Sequence, residues 1–381
     1  MSKLLFSESD YRQRRQGVLR RARAEHGVEA LLITNATDIR YLSGCTEGSP
    51  ALLFGRDWAT LFTSRMFLDC IRVQAPGVDV VLPQGPLFEQ AHNALNRKKH
   101  RRAIGFQGND MSWPQHQTFA AAMGRRRQVD IGETVITYRA VKDEQEIRLT
   151  RKCVRIAEQA LLSMVSEGLH AFVGRTEKRL AAELEYRMRQ LGTDRQGFPV
   201  GGIIAAAGAN SASCHHFPSD HKVRRGEPLL FDWGAELHGY RSDITRVLFM
   251  GTPRPKMAEV YKLVYRANQR GTAAIRPGVA THSVARQAWD IIRDGGYGDN
   301  IRHGLGHGIG LDIHEAPRLG TGSQPQAAAV RLRRNMIVTI EPGIYLKGLG
   351  GIRIEDDVRV TEGGHDCLTR FPREIEKIII G

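Results

Sequence analysis

Paired thiols are missing from this chain. Its five cysteines, Cys45, Cys70, Cys153, Cys214 and Cys367, are odd in number and none stands in a CxxC spacing. Neither a disulfide framework nor a cysteine-ligated zinc site is therefore indicated. Long apolar runs are missing too: nothing approaches the roughly 20 residues that span a bilayer. The apolar stretch in the opening MSKLLFSESDYRQRRQ is too short for a secretory leader. Together these absences predict a soluble, cytoplasmic protein with reduced thiols and no membrane partner. Two common motifs are also incomplete. His303 and His307 stand four apart without the glutamate of HExxH, which removes the zincin reading. GLGHGIG has its third glycine misplaced for GxGxxG and is followed by no GK[ST], so it does not read as a phosphate-cradling loop.

Acidic residues are outnumbered, 41 against 55 basic ones, for a formal charge of +14. The excess gathers at Arg97-Lys98-Lys99-His100-Arg101-Arg102 and at Arg125-Arg126-Arg127. A nucleic-acid reader would use such clusters to displace counterions from phosphates. Here they are not interleaved with aromatics and no binding module surrounds them. Solvated loops or a basic oligomer surface are the expectation, without a nucleic-acid partner.

At 381 residues and 41% hydrophobic content the chain is globular and too long for one ordinary core. Up to about residue 140, short apolar runs such as Ala30-Leu31-Leu32-Ile33 and Val78-Asp79-Val80-Val81-Leu82 alternate with helical stretches such as 11–26, which predicts an α/β domain. Asp143-Glu144-Gln145-Glu146 then offers a capping-box start to a helix reaching about residue 164. The predicted domains are 1–140 and 141–381. No low-complexity segment or long linker separates them, so they are expected to pack firmly.

Five residues of metal-binding type lie in FDWGAELHGYRSDITR, RHGLGHGIGLDIHE, TIEPGIY and GGIRIEDDV: Asp232, Asp243, His307, Glu341 and Glu355. Four carboxylates in one cleft would repel one another and take up protons rather than stay ionised. Two divalent cations remove that conflict. Oxygen-rich ligation with one imidazole favours Mn(II), with Co(II), Zn(II) or Fe(II) as alternatives, over a thiolate-type zinc site. A pair of such ions lowers the pKa of water and polarises a carbonyl, so no serine or cysteine nucleophile is needed. The local pattern places the ligands on strands. An apolar run, 228–231, leads into Asp232, and a returning strand is predicted over 240–248. A second run, 336–340, leads to Glu341, and a strand over 352–360 would put Arg353, Glu355 and Asp357 on one face. Two hairpins with two carboxylates each read as an internal duplication.

These four strings resemble those of the pita-bread metallopeptidases, which include methionine aminopeptidase, Xaa-Pro dipeptidase and aminopeptidase P. The likeness is greatest to the proline-directed branch and covers about residues 143–381. It implies a pita-bread catalytic domain of α/β (α+β) class behind a smaller creatinase-like α/β domain. ITNATDIRYLSG and ALLFGRDWATLFTSRMFLD carry that second likeness, although Ser64-Arg65-Met66-Phe67 replaces the usual DxRY. By resemblance, Asp232 holds one metal, Asp243 and Glu355 bridge both, and His307 with Glu341 completes the second. His215 contacts substrate and helps in proton transfer, His303 and His314 line the pocket and stabilise the tetrahedral intermediate, and Glu341 carries a proton to the leaving nitrogen. Arg353 braces the carboxylates. The substrate implied is a peptide with proline at its second position, and the assembly a homodimer.

Taken singly, each residue has a plainer reading. Asp232 is a turn residue near a glycine, His303 and His307 are surface positions on a helix, and His216 is a satisfied neighbour of His215. A Cys214–His215 nucleophile pair is set aside because adjacent residues on an extended strand face opposite ways. The joint occurrence of all members favours the metal centre. A same-fold hydrolase or lyase acting on a non-peptide small molecule, and a noncatalytic binding protein on a peptidase scaffold, are the alternatives.

Overall fold

The Ser7 side chain accepts from the Asp10 amide at 3.2 Å while the Asp10 carboxylate takes the Ser7 N–H at 2.7 Å. This reciprocal cap starts α1, Glu8–His26, in the computed structural model. The structure describes residues 5–100, 102–198, 200–320 and 330–381. Arg101 of the first basic cluster and the first four residues of the opening stretch lie outside them. By its internal contacts the chain divides into two units, Met1–Arg139 and Ala140–Gly381.

In the first unit the elements alternate as β1 (Ala30–Ile33), α2 (Ala36–Ser43), β2 (Ala51–Phe54), β3 (Ala59–Phe62), α3 (Leu68–Gln74), β4 (Asp79–Val81), α4 (Leu87–Arg97), β5 (Ile104–Phe106), α5 (Trp113–Met123), β6 (Gln128–Asp130) and α6 (Thr134–Arg139). The six strands form one sheet in the order β4-β3-β2-β1-β5-β6. Leu32, Leu53, Phe62 and Ile104 pack on one of its faces against Leu95 of α4 and Phe119 of α5. Each such buried side chain contributes about 1.5–3 kcal/mol. The basic clusters are not independent loops. Arg126 donates to the His100 carbonyl and to Asn96 Oδ1, drawing the 97–100 and 125–127 segments together.

The second unit opens with α7 (Glu144–Val165), whose start carries the predicted Asp143/Glu146 capping box. It buries Ile147, Thr150, Val154, Ala157, Leu161 and Met164, the i, i+3, i+4, i+7 spacing of one helix face. Next come α8 (Glu177–Gln190), β7 (Arg195–Gln196), β8 (Ile204–Ala207), β9 (Pro228–Trp233), β10 (Ala235–Leu237), β11 (Tyr240–Arg241) and β12 (Ile244–Met250). After α9 (Pro255–Ala273) and α10 (Thr281–Asp294) follow β13 (Gly306–Gly308), β14 (Glu315–Leu319), β15 (Ile337–Ile340), β16 (Gly343–Leu346), β17 (Gly350–Arg353), β18 (Asp356–Val360), β19 (His365–Cys367) and β20 (Ile379–Ile380). Two sheets matter for the site, β20-β12-β9-β8 and β14-β13-β15-β18-β19.

Both predicted returning strands are interrupted at the residues that carry carboxylates. The 240–248 strand breaks at Ser242-Asp243, where Ser242 pairs back with Ala235 through both N–H and Oγ. Gly234 makes the crossing possible, since a Cβ there would lie 1.8 Å from the Ser242 carbonyl oxygen. The 352–360 strand breaks at Ile354-Glu355, because the Glu355 N–H leaves its own hairpin and donates to Thr245 O of β12 at 3.1 Å. The two hairpins are thereby joined to each other at the site. Among the described residues no helix is long and apolar enough to cross a membrane.

Candidate metal centre

Asp232 stands in β9 opposite Thr245 of β12, and Asp243 follows the break before β12. Glu341 follows β15 directly, its N–H held by Leu305 O at 2.8 Å, and Glu355 precedes β18. His307 is the centre of β13. Glycines flank it because the strand lies so close to its neighbours: a Cβ at Gly306 would sit 2.0 Å from Thr339 O, and one at Gly308 2.0 Å from Ala316 O. The glycine-rich string thus serves strand packing. The helical reading of His303 and His307 fails, since His303 lies in the loop that leads into β13.

These elements bring the five side chains together. One oxygen each from Asp232, Asp243 and Glu355 lies within 4.8 Å of the others, as do ligand atoms of His307, Glu341 and Glu355, and of Asp243, His307 and His314. Asp243, His307 and Glu355 each belong to two of these groups. His307 Nε2 is 3.4 Å from Glu341 Oε1 and 3.6 Å from Asp243 Oδ2. Its Nδ1 meets Gly308 O at 3.0 Å, which directs Nε2 into the cluster.

The electrostatics are those of a site built for cations. Burial, then the neighbouring Glu355 and Asp232, hold the Asp243 carboxyl well above its usual range. Burial and Glu355 do the same to Glu341. Glu355 is pushed up to about 8 by burial and Asp232. Burial likewise drives His307 down to about 3, leaving a neutral imidazole suited to ligation. Asp232 Oδ1, Asp243 Oδ1 and Asp357 Oδ1 are buried with no hydrogen-bond partner. Buried oxygens without donors are costly, and divalent cations are what such a donor set accepts. The residues present therefore fit a pair of hard or intermediate divalent ions.

Around the cluster runs a hydrogen-bonded frame. Arg353 ion-pairs with Asp232, and its Nε donates to Thr245 Oγ1 at 2.9 Å. Thr245 Oγ1 in turn donates to Glu355 Oε2 at 2.6 Å, and the Asp243 N–H donates to Asp357 Oδ2 at 3.1 Å. Two members of this frame escaped the sequence analysis. Tyr345 Oη accepts from Arg353 Nη1 at 3.0 Å and donates to His303 Nε2 at 2.7 Å. Arg246, fully buried, bonds Asp356 Oδ1 at 2.7 Å, Glu355 O at 2.6 Å and Thr245 O at 2.9 Å, tying the two hairpins behind the carboxylates. Only its place three residues after Asp243 offered a signal.

The cluster opens into a cavity of about 750 Å³ lined by the five candidate ligands together with His215, His303, His314 and Arg353. Apolar side chains, Phe198, Ile204, Phe217 and Ile313, form other parts of the wall, and Arg318 adds a cation that the sequence analysis did not single out. His303 spends both ring nitrogens, on Gly304 O at 2.8 Å and on Tyr345, and burial pulls it down to about 4. His314 packs edge-on against His307 with centroids 4.2 Å apart. His216 is satisfied, as expected, by Glu177 at 2.8 Å. Contrary to expectation, Cys214 and His215 do not face opposite ways on a strand but occupy a turn and line the same cavity. Burial pushes the Cys214 thiol up, which disfavours the thiolate a nucleophile would need.

Comparison with known proteins agrees with this geometry. Residues 148–362 match metallopeptidase family M24 and residues 15–141 match the creatinase/prolidase N-terminal domain. The chain belongs to metallopeptidase family M24. It is 32% identical to an Xaa-Pro dipeptidase of Pyrococcus furiosus over 92% of this chain and 96% of the relative. Among solved structures, an Xaa-Pro dipeptidase from Bacillus anthracis superposes with a TM-score of 0.88 at 30% identity, covering 98% of this chain and 100% of that one. An X-Pro aminopeptidase from Thermotoga maritima gives 0.86 at 32%, covering 97% and 99%. The architecture is thus the M24 pita-bread fold preceded by a creatinase-like α/β domain, and family membership implies divalent metal ions.

Proposed function

We propose that this M24 chain is a two-metal exopeptidase that hydrolyses the bond between an N-terminal residue and proline, acting on Xaa-Pro dipeptides. The observation that carries the proposal is the convergence of Asp232, Asp243, His307, Glu341 and Glu355 on one cavity wall, with carboxyl oxygens that find no donor in the protein. Asp232, Asp243 and Glu355 would hold one ion and His307, Glu341 and Glu355 the other, with Asp243 reaching both. Bound there, the ions supply Lewis acidity toward the scissile carbonyl and a lowered water pKa. Mn(II) is the proposed occupant, on the oxygen-rich donor set.

The chain's own residues do the rest. His215 and His314 face the cavity and form no hydrogen bond among the described residues, so their ring nitrogens are available to substrate and to proton transfer. His303, locked by Tyr345 and Gly304, serves as a rigid wall of the pocket beside His215. Glu341, 3.7 Å from His303 Nδ1, is the group placed to pass a proton to the leaving nitrogen. Apolar Phe198, Phe217 and Ile313 suit a compact pyrrolidine ring, and Arg318 suits the free carboxylate that follows it in a dipeptide. Val200 and Phe217 stand 85% and 69% exposed at the cavity, and a homodimer is the proposed assembly that covers them.

Purified, Mn(II)-loaded protein presented with Gly-Pro, Ala-Pro and a longer Xaa-Pro-Yaa peptide tests the reading. Cleavage confined to the dipeptides is expected. Cleavage of the longer peptide would assign an aminopeptidase instead, and no turnover with metal bound would point to a non-peptide substrate. Sedimentation of the same sample tests the dimer.

A further inference from the structure

A second recess lies wholly within the N-terminal unit, between α1, the turn joining β2 to β3, and Gly77. Its walls include Arg12, Arg15, Arg56, Trp58 and Gly77 together with the carboxylate of Asp57, and it holds about 60 Å³. That is room for roughly four to six water-sized atoms, the size of a tetrahedral oxyanion.

Arg15 is what calls for a ligand there. The residue is 5% exposed, and its guanidinium donates to Leu42 O at 2.8 Å and, weakly, to Gly77 O at 3.4 Å. Three other buried guanidiniums have a carboxylate in contact: Arg139 has Asp38, Arg246 has Asp356 and Arg353 has Asp232. Among the described residues Arg15 has no carboxylate in contact, and burial with the nearby Arg12 charge pulls it down to about 10 against the opposing pull of Glu8. A buried charge without a counter-ion is unfavourable unless an anion arrives. At the rim, Arg12 meets Glu8 at 3.0 Å and Arg56 approaches Asp57 at 3.9 Å, with all four side chains half exposed or more. Such pairs are worth little and yield readily to a better-placed anion.

The surroundings reinforce the charge. Trp58, one wall of the recess, donates its indole N–H to His100 Nε2 at 2.9 Å, and Lys98 Nζ lies 5.9 Å from its ring centroid. The 97–100 and 125–127 segments, drawn together by Arg126, therefore stand beside the recess and raise the local concentration of anions. The basic balance that a peptidase does not require has a use here.

We propose that this recess binds a phosphate group, with Arg15 at its floor and Arg12 and Arg56 closing on the oxygens from the rim. Three guanidiniums are enough to neutralise a dianion, and their planar forks match its oxygens. The group can come as inorganic phosphate or as a phosphate monoester carrying an aromatic base that Trp58 would meet.

Calorimetric titration of the full-length, metal-loaded protein with inorganic phosphate and with adenosine monophosphate, at ionic strength fixed with chloride, tests the proposal. Wild type is expected to bind phosphate, and the exposed double variant Arg12→Ala/Arg56→Ala to bind it about tenfold more weakly, with circular dichroism confirming that it folds. Equal affinity for the two probes assigns the site to the phosphate alone, and tighter monophosphate binding assigns it to a base-bearing ligand. The proposal is overturned if the double variant binds as well as wild type, which would place the phosphate elsewhere, or if phosphate gives no heat beyond that of chloride.

Discussion

A carboxylate buried beside other carboxylates must be protonated, paired with a cation or bound to metal, and the site residues divide along those lines. Asp356 is paired, with Arg246 and Arg373 holding it below its usual range against the burial that would raise it. Asp243, Glu341 and Glu355 are raised and await cations. Glu355 belongs to two ligand groups and Asp232 to one, which separates two variants. Asp232→Ala is expected to keep about one ion per chain by elemental analysis after dialysis, and Glu355→Ala to keep neither. Hydrolysis of Ala-Pro by either should fall more than about 100-fold, beyond the usual effect of losing a supporting residue. These ligands were legible in the sequence because acids and one histidine recur in recognisable strings. Tyr345 and Arg246 were not, because a tyrosine or arginine in an apolar strand bears no mark of what it will touch. His303 lies 42 positions from Tyr345, and Asp356 lies 110 from Arg246.

At the scale of elements, what positions the ligands is the junction between two hairpins. Arg246 holds that junction with bonds to both sides, and a substitution there tests it. Arg246→Met is expected to cost about 3 kcal/mol or more, since it strips a buried carboxylate of a cation and several carbonyls of their donor. Arg246→Lys should recover only part of this, because one ammonium cannot reach oxygens spread over Thr245, Glu355, Asp356 and Phe371. Denaturant unfolding of the two variants measures both. A second device holds the loop that bears His215. Glu177, wholly buried, accepts from Ala207 N at 2.7 Å, Asn210 Nδ2 at 3.0 Å, Ser219 N at 2.9 Å and Ser219 Oγ at 2.6 Å, and meets His216 at 2.8 Å. Glu177→Gln turns an amide donor against other donors. Faster hydrogen exchange at the Ser219 amide is expected, with about 1–3 kcal/mol of lost stability. Sequence periodicity located β9, β12, β15 and α7 within a few residues. It missed the breaks at Ser242-Asp243 and Ile354-Glu355, because alternation records which face is buried and not that an N–H has changed partner to another hairpin.

For the whole molecule, the site is a stability cost that metal removes, and the sign can be worked out. A carboxylate whose folded pKa is raised binds more protons folded than unfolded between its ordinary value and its raised one. Stability of the metal-free protein therefore falls as pH rises across that window, which for Glu355 runs from 4.5 to about 8. Chelator-treated protein is expected to melt at a lower temperature at pH 8 than at pH 6, and Mn(II) to raise the melting temperature more at pH 8. Calorimetry at the two pH values checks this. The broad plan, an α/β domain followed by a helix-led catalytic domain, was readable from the run of apolar segments and from the Asp143 cap. The convergence of the two basic clusters beside Trp58 was not, since charge runs carry no tertiary address. The metal and activity expectations all require that the acidic cluster be a dinuclear metal centre. Anomalous diffraction at the manganese edge from crystals grown with Mn(II) tests it most directly. Two peaks enclosed by Asp232, Asp243, His307, Glu341 and Glu355 are expected, and well-ordered side chains with no anomalous peak among them would rule the metal centre out.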